Sequence, residues 1–209
     1  MKKIEHSKLK ATPEFEDFSG KYEDSSFISK YLVSSYFKAV ERLFNKANNI
    51  SSAHEIGSGE GRSTMRLNKL IANLTASEYV DDLVKLAKKN NPQLTIFQES
   101  AYQLKYDDNS VDLVFLLEVL EHLDYPEIAL DEIKRVSKKY LILGVPNEPL
   151  WCFLNMCRFK YISSFGNTPG HLNHWSKKSL IKIVENKYGK VIAVESPIPW
   201  TIVLAEKTV

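Results

Sequence analysis

The stretch from Ala53 to Gly61 constrains this chain most: a short strand-like run ends in glycines at 57, 59 and 61, and a helix-forming segment follows. Glycines so spaced let the backbone turn sharply and let a ligand come closer than any Cβ would allow. The free N–H groups of the helix that follows then point at that ligand. Such strand–loop–helix units belong to sheets whose strands alternate with helices, and the remaining sequence carries that alternation.

Apolar periodicity and turn residues predict strands over 53–56, 74–77, 94–98, 111–117 and 140–145, with helices over 62–71, 80–89 and 126–136. The runs Val114-Phe115-Leu116-Leu117 and Leu141-Ile142-Leu143 show no polar alternation, as parallel strands covered on both faces do not. Pro126, followed by Glu127, suits a helix start, since its fixed φ and the nearby negative charge both help there. Ahead of this core, Leu32, Tyr36, Val40, Leu43 and Phe44 recur at helical spacing, within an N-terminal helical segment spanning 1–48. Residues 146–175 break the rhythm as an aromatic-rich insertion on the acceptor side. A helix over 176–188 and strands over 190–195 and 201–207 complete the chain. Only five residues, Ser196 to Trp200, separate those strands, too few for a helical crossover, so the two should pair antiparallel as a hairpin at the sheet edge. The expected fold is α/β: one doubly wound, seven-stranded, mostly parallel sheet with an antiparallel terminal hairpin. The 209 residues fit a single domain.

Composition excludes several partners. A net charge of +2, with both signs mixed along the chain, does not suggest a nucleic-acid surface. The basic run from Lys134 to Lys139 falls where a helix should end, where cations suit the macrodipole. Cys152 and Cys157 are too few for a disulfide framework and read as buried or half-buried thiols of a reducing compartment. The charged N-terminus lacks an apolar signal region, and no apolar run approaches a membrane span, so a cytoplasmic protein is expected.

The glycine spacing is G-x-G-x-G, with Arg62 where a dinucleotide fingerprint would place its third glycine. No G-K-[ST] follows, which excludes a phosphate-cradling P-loop. Glu55 stands two places before the first glycine, and Glu78 lies 21 residues beyond Gly57, at the end of the second strand, where it can accept both hydroxyls of a ribose. With these features the chain resembles the class I S-adenosylmethionine-dependent methyltransferases, in particular the type 11 and quinone-biosynthesis O-methyltransferase group. The resemblance runs from about 53 to 147 and continues through Ser100-Ala101, Asp107 to Val114, and Glu118 to Leu123. It implies a Rossmann-like methyltransferase fold and an S-adenosylmethionine site formed by Glu55, Gly57, Ser58, Gly59, Gly61, Glu78, Tyr79, Ser100, Ala101 and Glu118. At Ser100 the family usually has Asp, so weaker or water-mediated adenine contact is expected there.

Acceptor-side groups should come from loops at the carboxyl ends of the strands. His122, His171 and His174 are the candidate proton-handling residues, needed only if the acceptor is protonated at working pH, as a hydroxyl is. For His171 and His174 the alternative is packing or hydrogen bonding within a loop, while His54 reads as structural and His6 as a solvated tail residue. Glu118, Glu121 and His122 are spaced to share a helical face and, with His171, could hold a divalent cation. Quinone-biosynthesis and small-RNA 2′-O-methyltransferases, which resemble this segment, place metal ligands in such a motif. The apolar stretch 150–162 could be a lid, a lipid-contacting patch, or a helix packed on the sheet edge.

The expected function is methyl transfer from S-adenosylmethionine to a small molecule, through an oxygen nucleophile. The alternatives are metal-assisted O-methylation of RNA or a lipid-like quinone, a non-catalytic S-adenosylmethionine-binding protein, an aminopropyl transferase, and a nicotinamide-dependent dehydrogenase. The last is disfavoured by the glycine spacing and by the lack of a Tyr-x-x-x-Lys pair.

Overall fold

The computed structural model describes residues 27–208. Expectations for the first 26 residues, His6 included, fall outside it. The chain begins with α1 (Phe27–Phe44). Then β1 (Ala53–Ile56), α2 (Arg62–Leu67), β2 (Leu74–Glu78), α3 (Asp81–Asn90), β3 (Thr95–Gln98) and β4 (Val111–Leu117) follow in alternation. A 3-10 turn at Leu120–His122 leads to α4 (Pro126–Val136) and β5 (Ser137–Pro146). The chain closes with α5 (Leu150–Cys157), α6 (Lys177–Lys187), β6 (Gly189–Glu195) and β7 (Trp200–Lys207).

All seven strands form one sheet in the order β3-β2-β1-β4-β5-β7-β6. The first five pair parallel, and β7 runs antiparallel between β5 and β6. The hairpin expected at the sheet edge is therefore present, with its second strand placed inward. Most element bounds fall within one residue of the sequence expectation, and two depart further. β5 is longer than 140–145, because Ser137 pairs with Val111 of β4 at its start and β7 pairs with it through Pro146 at its end. α2 stops at Leu67 instead of reaching 71, as the Lys69 and Leu70 amides bond three residues back in tight turns instead of extending the helix.

The unbroken apolar strands are explained by two covers. Leu113, Phe115 and Leu117 of β4, with Tyr140 and Ile142 of β5, pack under α1 through Tyr36, Ala39, Val40 and Leu43. Val114 and Leu116, with Leu141, Leu143 and Val145, face α4 and α6 through Leu130, Ile133, Leu180 and Val184. Alternate residues thus serve opposite layers.

The basic run begins in the last turn of α4, and two of its members are engaged in structure. Arg135 ties Glu132 at 2.8 Å and Asp108 at 2.7 Å, and donates to the carbonyls of Tyr106 and Leu104. Lys138 pairs with Asp112 at 3.2 Å.

Candidate functional site

The carboxyl ends of β1, β2 and β4 converge on the glycine loop. Gly57, Gly59 and Gly61 all have left-handed φ, at 76°, 53° and 81°. The amides of Gly57 and Ser58 both donate to the Ser77 carbonyl, at 2.8 and 3.0 Å, which fastens the loop to the end of β2. A Cβ at Gly57 would lie 2.3 Å from a Val119 methyl, and one at Gly61 would lie 2.3 Å from Asn91 Nδ2. Gly59 is different: a Cβ there would meet nothing within 4 Å. Its backbone therefore faces open space, as a glycine needed for close ligand approach should.

Glu78 sits at the centre of this arrangement. Its Oε2 accepts from the Gly59 amide at 2.9 Å, and its Oε1 from the amides of Tyr79 at 2.7 Å and Val80 at 3.0 Å. A carboxylate has about four lone-pair positions, so three amides still leave acceptor capacity for a hydroxyl. Replacing Glu78 by Gln keeps one acceptor oxygen and removes the charge. We expect about a tenfold loss of S-adenosylmethionine affinity by calorimetry, or about 1.4 kcal/mol. Unchanged affinity would remove Glu78 from the site.

Glu55 lies beneath the loop, 1% exposed. Thr64 Oγ1 donates to it at 2.5 Å. Burial pushes its carboxyl up to about 7, against hydrogen bonds from Ser63 and Thr64 that favour the ionised form. His54, next to it, is fully buried within β1 between Thr75 Oγ1 at 2.9 Å and Ser77 Oγ at 3.0 Å. Burial drives its imidazole down to about 3, so it is a neutral core residue, as the sequence suggested.

At the end of β3, Tyr79, Ser100, Gln103 and Lys105 line a shallow cleft of about 380 Å³ that also includes Gln98 and Glu99. Ser100 Oγ is engaged locally, accepting from the Tyr102 amide at 3.3 Å. Ala101 is buried in the core below. Glu99, missed in the sequence, is buried beside Ser100, and burial raises its carboxyl above the ordinary range.

In the loop that follows β4, Glu118 has a left-handed φ of 59°. Its Oε2 accepts from Trp200 Nε1 on β7 at 2.8 Å. A non-glycine residue in that conformation costs on the order of 1 kcal/mol, and the indole bond helps to hold it. Glu121, His122 and His171 do come together, with one donor atom from each within 4.8 Å of the others. Glu118, expected with them, is not in this group. His122 Nδ1 lies 3.0 Å from the Gly170 carbonyl, its ring stands edge-on to His171, and His171 stacks on Trp151. His174 sits apart, its Nε2 3.0 Å from Asn167 Oδ1.

The insertion is anchored to this loop. The amides of Leu172 and Asn173 donate to the Glu121 carbonyl at 2.9 and 3.0 Å, and Asn173 Nδ2 to that of Leu123 at 2.7 Å. Its outer side carries exposed Phe153, Phe159 and Phe165. Cys152 is half-buried, but Cys157 is exposed, because the last turn of α5 faces outward. Among the described residues no helix is long and apolar enough to cross a membrane.

A strand order with one reversed strand beside β5, and a glycine loop facing an acid at the end of β2, defines a Rossmann-like cofactor-binding domain. Residues 54–143 match the family model of the methyltransferase domain. No curated protein sequence matches the chain significantly. Among solved structures, an S-adenosylmethionine-dependent methyltransferase from Aquifex aeolicus is similar over 91% of this chain and 98% of its own, at 17% identity and a TM-score of 0.68. Magnesium protoporphyrin IX methyltransferase from Synechocystis PCC 6803, with bound SAH, is similar over 91% and 94%, at 15% identity and a TM-score of 0.66. The [4+2]-cyclase SpnF shares the fold over 82% of each chain, at 14% identity and a TM-score of 0.62. The family-model match spans residues 54–143, and these solved structures, at 14–17% identity, share the fold of the chain.

Proposed function

We propose that this protein transfers a methyl group from S-adenosylmethionine to an oxygen of a small-molecule acceptor. The observation that carries the reading is the pairing of the open backbone at Gly59 with the Glu78 carboxylate held 2.9 Å from its amide. A ribose diol can meet that carboxylate while the rest of the cofactor passes over a residue with no side chain. The cofactor's sulfonium supplies the activated methyl, and the protein's part is geometry. Glu78, with Tyr79 beside it, orients the ribose, and the loop from Gly57 to Gly61 admits the cofactor's backbone-facing edge. Ser100 and Ala101 border the adenine end. On this reading His122 and His171, whose rings lie edge to face, are the groups that would take the proton of an acceptor hydroxyl. Holding the acceptor in line with the methyl supplies much of the acceleration. The shared fold of a cyclase makes direct measurement of turnover necessary, since function follows the site and not the fold.

Calorimetry with S-adenosylmethionine, its homocysteine product and NAD tests the cofactor reading, and tight binding of NAD alone would overturn it. Product release over pools of small hydroxylated metabolites then tests methyl transfer.

A second reading is favoured by the clustering of Glu121, His122 and His171. There, a divalent cation would hold the acceptor oxygen and lower its pKa. On this reading activity falls at least about tenfold in chelator and returns with Mg²⁺ or Mn²⁺. Full activity in chelator removes it.

A further inference from the structure

A second mixed cluster lies in the insertion, away from the glycine loop. Glu148, Cys152 and His174 each present a donor atom within 4.8 Å of the other two. Glu148 and Cys152 stand four residues apart across the start of α5, and the Cys152 amide donates to Glu148 Oε2 at 3.2 Å. The Glu148 amide in turn donates to the Trp175 carbonyl at 2.9 Å, which brings the segment carrying His174 alongside.

Glu148 is 8% exposed, and its Oε1 has no hydrogen-bond partner among the described residues. A buried, unmatched carboxylate oxygen is costly unless something positive meets it. His174 is already oriented: Asn167 Oδ1 bonds Nε2 at 3.0 Å, and Nδ1 remains to bind a ligand. Ligating histidines characteristically make such an outer bond through their other nitrogen.

We propose that Glu148, Cys152 and His174 form a binding site for a borderline-soft divalent cation, Zn²⁺ in kind, that pins the start of α5 to the loop before α6. The donor set decides the ion. One thiolate, one imidazole and one carboxylate match zinc, whereas magnesium and calcium select oxygen ligands only. Charge also balances, since a thiolate and a carboxylate neutralise a dication. Tetrahedral bonds of roughly 2.0–2.3 Å put ligand atoms about 3.6 Å apart, so side-chain rotation has at most about 1 Å to close from separations within 4.8 Å. On binding, the Cys152 thiol loses its proton to solvent and the thiolate coordinates. Burial and the neighbouring Glu148 carboxylate push that thiol up to about 11, a trend that a dication reverses. The fourth position remains for water.

The full chain, stripped by chelator and titrated with Co²⁺, tests this. A thiolate-to-cobalt absorption in the near ultraviolet should saturate at one ion per chain and disappear on adding Zn²⁺. It should be absent in Cys152→Ser, persist in Cys157→Ser, and need about tenfold more Co²⁺ in Asn167→Ala. The cluster of Glu121, His122 and His171 has no sulfur and cannot produce this band. No band in the parent, or a band surviving in Cys152→Ser, overturns the proposal. If Cys152→Ser does not fold, the Cys157→Ser protein decides, because Cys152 is then its sole thiol. Zn²⁺ should slow labelling of that thiol by a disulfide reagent at least tenfold, and equal rates overturn the site. None of these readouts depends on S-adenosylmethionine binding.

Discussion

Gly59→Ala should unfold within a few degrees of the parent and yet lose at least about a hundredfold in S-adenosylmethionine affinity, some 2.7 kcal/mol. The reason is the contrast between the two neighbouring glycines. At Gly59 an added methyl meets nothing within 4 Å, so the fold bears only the left-handed φ of 53°. That conformation costs a non-glycine residue about 1–2 kcal/mol, or roughly 2–8 °C in a domain of this size. The methyl then stands in the space that the cofactor needs. Gly57→Ala should behave in the opposite order, losing the fold first. Its φ of 76° carries a similar cost, and its Cβ lies 2.3 Å from Val119 Cγ2. Overpacking of that kind typically adds about 1–3 kcal/mol. In the double variant Gly57→Ala/Val119→Ala the steric part should be relieved while the backbone part stays. Thermal melts and calorimetry on the four proteins check the scheme. A Gly59→Ala protein that binds normally would place the cofactor elsewhere.

The second large effect is a pair of opposed pH dependences inside one strand. Glu55 has its carboxyl raised from 4.5 to about 7 in the folded protein. Between those values the folded state holds a proton that the unfolded state has released, so stability falls as pH rises through 4.5–7, by on the order of 3 kcal/mol in full. His54 is lowered from 6.5 to about 3. Between those values the unfolded state binds a proton that the folded state refuses, so stability rises with pH, by on the order of 5 kcal/mol in full. The two windows overlap from 4.5 to 6.5, where the slopes largely cancel. Single substitutions should separate them. Relative to the parent, Glu55→Gln should gain stability as pH rises from 4.5 to 7.5, and His54→Asn as pH falls from 6.5 to 3.5. Urea midpoints across pH measure both trends, and profiles parallel to the parent's would sink the account.

Much of the frame was legible in the sequence because burial on two faces leaves a plain mark. Val114 to Leu117 and Leu141 to Leu143 read as covered strands since neither face could tolerate a polar residue. The glycine spacing with Glu55 and Glu78 was legible for a similar reason: left-handed turns, and carboxylates that hold the turn and the helix after it, require particular residue types at set distances. What escaped was set by contacts between distant segments. The bond from Trp200 to Glu118 spans 82 residues, and no local period announces it. Glu118 was read with Glu121 and His122 on one helical face, but its left-handed φ breaks that face and the indole holds it. His174 meets Glu148 and Cys152 only because the insertion folds back on α5. Glu99 was overlooked beside Ser100 because nothing in the order of residues says which of two neighbours turns inward.

The placement of β7 between β5 and β6 has a consequence for synthesis. Of the seven strands β7 is made last, yet it pairs with β5 along seven residues and carries the indole that bonds Glu118. Until it leaves the ribosome, β5 is an open parallel edge whose Leu141, Ile142 and Leu143 have no neighbour on that side. Exposed apolar edges of this kind pair readily with other chains. During that interval the strands flanking the Gly57–Gly61 loop are already made, while Glu118 still lacks its bond from Trp200. Helpers that shield strand edges would matter most in that interval.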